Sequence, residues 1–167
     1  STKQKALVKL AAIKKKIGFP DKWKDFSGME ISKDSYVQNL INAGKWWHSY
    51  EMNKLGKPVD KDEWDMYPQT YNAYYSDANN EIVFPAAAFI VPGYNDADLD
   101  DDAMWGYVGA SYIGHEITHG FDDQGKLDDE KGNLHNWWTK TDSIEFAKRA
   151  QVIINQLNQE ISKSERS

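Results

Sequence analysis

Two histidines spaced four residues apart, His115 and His119, constrain this chain more than any other feature. On a helix their imidazoles leave the same face one turn apart, where a single tetrahedral zinc can take a nitrogen from each. Val108, Ser111 and Tyr112 continue that face toward the N-terminus. Aspartates at 96–102 precede it, where the positive end of a helix dipole favours them, and Gly120 follows directly. The spacing predicts one long helix over about 101–119.

Glu116 stands between the histidines. A carboxylate there can reach a water at the metal's open position, accept its proton during attack and deliver it to a leaving amine. The chain has no cysteine, so disulfides and thiolate ligands are excluded and any metal must be held by histidine and carboxylate. A net charge of −6 gives no reason to expect nucleic acid or an anionic membrane surface. No apolar run approaches the roughly 20 residues of a membrane span. Seven Trp and nine Tyr are rings that fill cores or line peptide-binding clefts.

Periodicity organises the rest. Leu7, Leu10, Ala11, Ile13 and Ile17 give the 1–17 stretch one apolar stripe, with the lysines, Lys14-Lys15-Lys16 included, on a solvated face. Gly18-Phe19-Pro20 stops it. Asp34 or Ser35 can cap a second helix whose apolar positions are Tyr36, Val37, Leu40, Ile41 and Trp47. Residues 71–75 and 81–84 read as strands around the turn Ser76-Asp77-Ala78-Asn79-Asn80, a β-hairpin closed by Pro85. A last amphipathic helix starts near Thr141 or Asp142. The expected fold class is α+β, mostly helical, with one small sheet.

Three further features carry alternatives. An edge strand beside the histidine helix can hold a peptide as an added strand, with Asn72 bonding its main chain, or Asn72 is simply a polar strand residue. One of Asp122 and Asp123 can fix the tautomer of a histidine ligand, or both lie in a solvated turn. Asp96, Asp98, Asp100 and Asp102 resemble the start of a calcium loop, but Asp101 and Tyr107 stand where its glycine and glutamate belong, which favours a solvated acidic loop. His48 and His135, remote from the pair, read as structural.

Several stretches together resemble the neprilysin family of zinc endopeptidases, which includes bacterial oligopeptidases and animal ectoenzymes. They are Lys16-Ile17-Gly18-Phe19-Pro20, Val59 to Trp64, Asn72-Ala73-Tyr74-Tyr75, Asn80 to Ala86, Gly114 to Gly125 and Asn136-Trp137-Trp138-Thr139. The resemblance runs in order along nearly the whole chain. It implies a thermolysin-like zincin catalytic domain with His115 and His119 as zinc ligands and Glu116 as general base, acting through attack of zinc-bound water. It implies that Asn72 and Ala73 hold the substrate backbone and that Asp122 supports a ligand histidine. Substrates would be oligopeptides cut on the amino side of hydrophobic residues.

In that family the third zinc ligand is a glutamate in a downstream Glu-x-x-x-Asp motif, followed by a His and an Arg for the transition state. None of these is in the sequence: Glu145 precedes Phe-Ala-Lys-Arg, and Glu160 precedes Ile-Ser-Lys-Ser. Gly125 stands where a metzincin would have its third histidine. The expectation is therefore a helical lead-in at 1–57 and the N-terminal part of the catalytic domain at 58–167, inactive alone and partnered by the remainder of that domain. The alternative is a non-catalytic peptide-binding or interaction module keeping the peptidase fold, but a replacement at Glu116 or either histidine would mark it, and all three are intact. Absence of cysteine points to a bacterial member, since the animal ectoenzymes rely on disulfides, but leaves the compartment open; the expected location is the periplasm or cell surface, with the cytoplasm open.

Overall fold

The run Glu81-Ile82-Val83-Phe84-Pro85, bounded by asparagines and a proline, forms a strand, β3 (Glu81–Pro85), with all five residues buried. The computed structural model describes residues 1–164. β3 is the middle of a three-stranded sheet: β2 (Tyr74–Ser76) pairs with it antiparallel, as the hairpin reading predicts. The turn between them works because Asn80 accepts a left-handed backbone, φ 48°, which asparagine tolerates better than most residues. The buried Asn80 side chain also fixes the turn. Its amide donates to the carbonyls of Lys9 (3.2 Å) and Glu130 (3.1 Å), and it accepts from the Tyr75 hydroxyl at 2.7 Å.

The third strand corrects the sequence reading. The expected 1–17 helix is only α1 (Thr2–Ala12), after which Ile13 turns extended and β1 (Lys14–Gly18) pairs with β3 in parallel. Two long-range partners outweigh the local helical pattern. The Asn80 carbonyl accepts the Lys14 amide at 2.9 Å. Lys16 reaches both Glu81 carboxylate oxygens, at 2.9 and 2.8 Å, with side chains 4% and 1% exposed. The solvated-lysine reading holds for Lys3, Lys5 and Lys15, which are exposed, and fails for Lys16 and Lys9. Lys9 is 1% exposed, while Leu7 and Leu10 face outward.

Ser35 caps α2 (Tyr36–Met52) by accepting from the Gln38 amide. Its inner contacts are aromatic: Trp46 stacks on Tyr50 at 5.1 Å, and Phe26 lies 5.0 Å from Trp46. Tyr36, Val37, Leu40 and Ile41, read as buried positions, are exposed because nothing in the described chain covers that face.

The expected single helix over 101–119 is continuous but changes winding. α3 (Asp101–Met104) passes into a π-helical stretch, Trp105–Ile113, and then into α4 (Gly114–His119). Glycines allow the wider turn. The Trp105 ring folds over Gly109, where a Cβ would come within 3.0 Å of it, and the Gly114 amide reaches back to the Gly109 carbonyl. Val108 from this stretch joins Ala73, Phe84 and Ala88 in the core, with Tyr112 edge-on to Phe84 at 5.1 Å; Ser111 is exposed. The core therefore locks the histidine helix against β3. Asp96 to Asp102 is the exposed acidic loop expected, with Asp100 capping α3. α5 (Lys140–Ser164) closes the described chain.

Candidate metal centre

α4 carries the histidine pair as the spacing predicts. The two Nε2 atoms face one another at 3.2 Å, with the rings nearly perpendicular. On the far side of His119, Nδ1 lies 3.0 Å from Asp122 Oδ2. An ionised carboxylate only accepts, so this contact calls for a proton on Nδ1, and a neutral His119 in that tautomer presents a lone pair from Nε2. A second imidazole nitrogen at 3.2 Å needs a cation or a shared proton between them. Two bonds of about 2.0–2.1 Å at the tetrahedral angle would themselves set the nitrogens roughly 3.3 Å apart. The donor set therefore fits a zinc-type ion. Among the described residues no group of three or more His, Cys, Asp or Glu is arranged to hold a metal.

Asp122 is held as closely as it holds. Its Oδ1 accepts the amides of Gln124 (2.8 Å) and Gly125 (2.9 Å), which leaves Oδ2 for the imidazole. Burial raises its proton affinity, but the Gly125 amide and His119 outweigh that, and its pKa lies below the usual carboxylate value. Asp123 does not touch the pair; it accepts instead from the Gln124 side chain.

Glu116 is 6% exposed although both histidines are exposed, so its carboxylate sits in a drier place than the pair it separates. Burial, and then the charge of Glu116, pushes the Tyr112 hydroxyl pKa upward. The exposed surface of α4 thus carries the two imidazoles, while the residue between them keeps its carboxylate largely out of water.

β2 lies beside α4. Gly120 ends α4 so close to Tyr75 that a Cβ there would lie 2.9 Å from the ring. In the sheet order β1-β3-β2, the outer edge of β2 has no strand partner among the described residues. Asn72 is exposed just before that edge, and Ala73 is buried in the core, so Ala73 anchors the backbone from which Asn72 projects. Tyr71 is tied to the π-helical stretch through the Tyr107 hydroxyl at 2.8 Å, which pushes its pKa up to about 12. His48 and His135 are exposed on other elements.

The way the parts behind the pair are joined is not legible from local sequence. Gly125 packs so tightly on His119 and Gly120 that no Cβ fits. Its carbonyl accepts the Lys9 ammonium at 2.7 Å and the Trp137 indole at 3.1 Å. Only the Asp-x-x-Gly spacing of an Asx-type turn hinted at Gly125; Lys9 lies 116 residues away and gave no local signal.

Known proteins resemble this chain over most of its length. A model of peptidase family M13 matches residues 72–166, more than half of the chain. The chain is 39% identical over 165 residues to an endothelin-converting enzyme homolog of Locusta migratoria, covering 93% of this chain and 22% of that protein. Among solved structures it resembles the zinc metalloprotease Zmp1 of Mycobacterium tuberculosis in complex with an inhibitor, with a TM-score of 0.84 and 48% identity. That match covers 93% of this chain and 23% of that one. It also resembles PepO from Lactobacillus rhamnosis, with a TM-score of 0.77 and 36% identity over 88% of this chain and 23% of that one. The chain spans about a fifth of the length of the curated relatives it matches.

Proposed function

The chain belongs to peptidase family M13, and from that premise we propose that it carries two zinc ligands and the general base of an endopeptidase acting on oligopeptides. The observation that carries this is the pair of Nε2 atoms 3.2 Å apart, with Asp122 fixing the outer nitrogen of His119. His115 and His119 would hold the metal, and its third protein ligand would come from the rest of the parent catalytic domain. When bound, zinc supplies a Lewis acid that polarises the scissile carbonyl and lowers the pKa of water.

The chain's own groups do the rest. Asp122 orients His119 and keeps its ligating nitrogen unprotonated. Glu116 takes the proton of the attacking water and returns it to the leaving amine. The free edge of β2 lines up a peptide as an added strand, with Asn72 on its main chain and Ala73 setting the height of that edge. Cleavage falls on the amino side of hydrophobic residues. The uncovered apolar residues of α2 and of α5, Val152, Ile153 and Leu157 among them, suit contact with the remainder of the domain. The parent protein is placed in a bacterial periplasm or at the cell surface.

By itself the chain has little or no peptidase activity, since two histidines leave the ion under-coordinated. The test is oligopeptide cleavage by the polypeptide at the length of its relatives, with and without Glu116→Gln. Loss of at least about 100-fold in kcat is expected. Unchanged turnover in the variant would remove Glu116 from the role of base.

A further inference from the structure

Lys9 is buried to 1% exposure, although an ammonium in that position loses its hydration. Burial holds its pKa below the usual lysine value, against the pull of Asp77, Asp128, Asp122 and Asp129. It forms no ion pair with any of them among the described residues. Its nitrogen instead donates to two carbonyls, those of Gly125 and Asp128, each at 2.7 Å. It also lies over the rings of Trp137 and Tyr75, at 5.6 and 5.7 Å. Both carbonyls belong to the loop that follows α4, so a residue of the N-terminal helix holds the segment just behind the metal-facing histidine.

The geometry points to Lys9 as a positioning residue for His119, acting through Gly125 and Asp122. Gly125 is anchored at both ends: its carbonyl accepts Lys9 and Trp137, and its amide donates to Asp122 Oδ1 at 2.9 Å. The carbonyl and the amide of Gly125 belong to adjacent peptide planes, and the packing of Gly125 on His119 and Gly120, which leaves no room for a Cβ, restrains the two together. Asp122 is then aimed so that Oδ2 meets the His119 ring. With Lys9 lost, the Asp128 carbonyl loses its donor and Gly125 keeps only Trp137. Asp122 Oδ1 keeps the Gln124 amide but faces a less firmly held Gly125 amide, so Oδ2 is aimed less strictly at the ring and His119 places its proton more often on Nε2, where it blocks ligation. The inference rests on the reading of His119 as a metal ligand, but the tautomer it concerns exists without metal.

The test reads the His119 tautomer by long-range proton–nitrogen spectra of the metal-free chain, then its zinc affinity, in wild type, Lys9→Met and Lys9→Arg. Lys16→Met serves as a control, since it removes a second buried lysine that does not touch the loop. The expected result is a dominant Nδ1–H form in wild type, loss of that preference in Lys9→Met with zinc affinity about tenfold weaker, and recovery in Lys9→Arg. Lys16→Met should leave the tautomer unchanged. An unchanged His119 tautomer in Lys9→Met, or an equal change in Lys16→Met, would overturn the proposal. If Lys9→Met does not fold, Lys9→Gln replaces it, and a wild-type tautomer in that variant overturns the proposal equally. If wild type binds no zinc, the ligand reading fails while the tautomer result still decides the role of Lys9.

Discussion

Lys16 and Lys9 lie close together in sequence, and both have their ammonium groups out of water, but they are received differently. Lys16 meets a carboxylate: Glu81 gives it both oxygens, and the pair bridges β1 to β3 in the parallel register that puts Lys14 opposite Glu81. Lys9 meets carbonyls, and the partners it ties together are α1 and the loop behind His119. Removing one member of a buried ion pair strands the other charge, whereas removing a cation held by neutral acceptors strands only dipoles. The first arrangement therefore holds the sheet together, and the second tunes the site.

The largest effect that would sharpen this contrast is at the ion pair. Lys16→Met should destabilise the chain by about 3–5 kcal/mol in urea unfolding, because Glu81 stays buried without a partner. Adding Glu81→Leu should recover most of that loss, since an apolar pair of similar size often replaces a buried ion pair at little cost. A double variant no better than the single one would show that the sheet needs the charges themselves.

Lys9→Met should cost less, about 1–3 kcal/mol for carbonyls left short of a donor. A loss as large as that of Lys16→Met would erase the distinction between the two lysines.

The smallest effect lies in alkaline pH. Lys9 has a folded pKa below the unfolded value of 10.5, so the unfolded chain binds the extra proton in that window. Its contribution to stability therefore rises with pH from the lowered pKa up to 10.5 and is flat above. Tyr75, which faces Lys9, titrates in the opposite sense: burial and then Asp77, Asp128 and Asp122 raise its pKa, and its contribution falls once pH passes the unfolded value of 10.0. Subtracting the Lys9→Met profile from wild type cancels the tyrosine and should leave the rise. A flat difference would mean that the Lys9 pKa is not displaced by folding.

What could be read from the sequence was local. The four-residue spacing of His115 and His119 places them on one helix face, the Ser76–Asn80 turn predicts the hairpin, and the pair Asp34 and Ser35 predicts a cap, which Ser35 supplies. Proximity in the fold brings Asp122 rather than Asp123 to His119, through an Asx-type turn closing on Gly125. β1 was hidden because lysines on a strand are satisfied only by partners at Asp62, Glu63 and Glu81 that no window of sequence includes. The π-helical winding was hidden because apolar periodicity does not distinguish it from an ordinary helix over nine residues. Lys9 was misread for the plainest reason: among lysines on an amphipathic helix, nothing nearby marks the one that turns inward.

The most direct test of the metal-centre reading is a zinc titration of the chain, in wild type, His115→Ala and His119→Ala, reporting stoichiometry and affinity. One zinc per chain, loosely held and lost in either variant, is the predicted result. Zinc bound equally well without either histidine would contradict it.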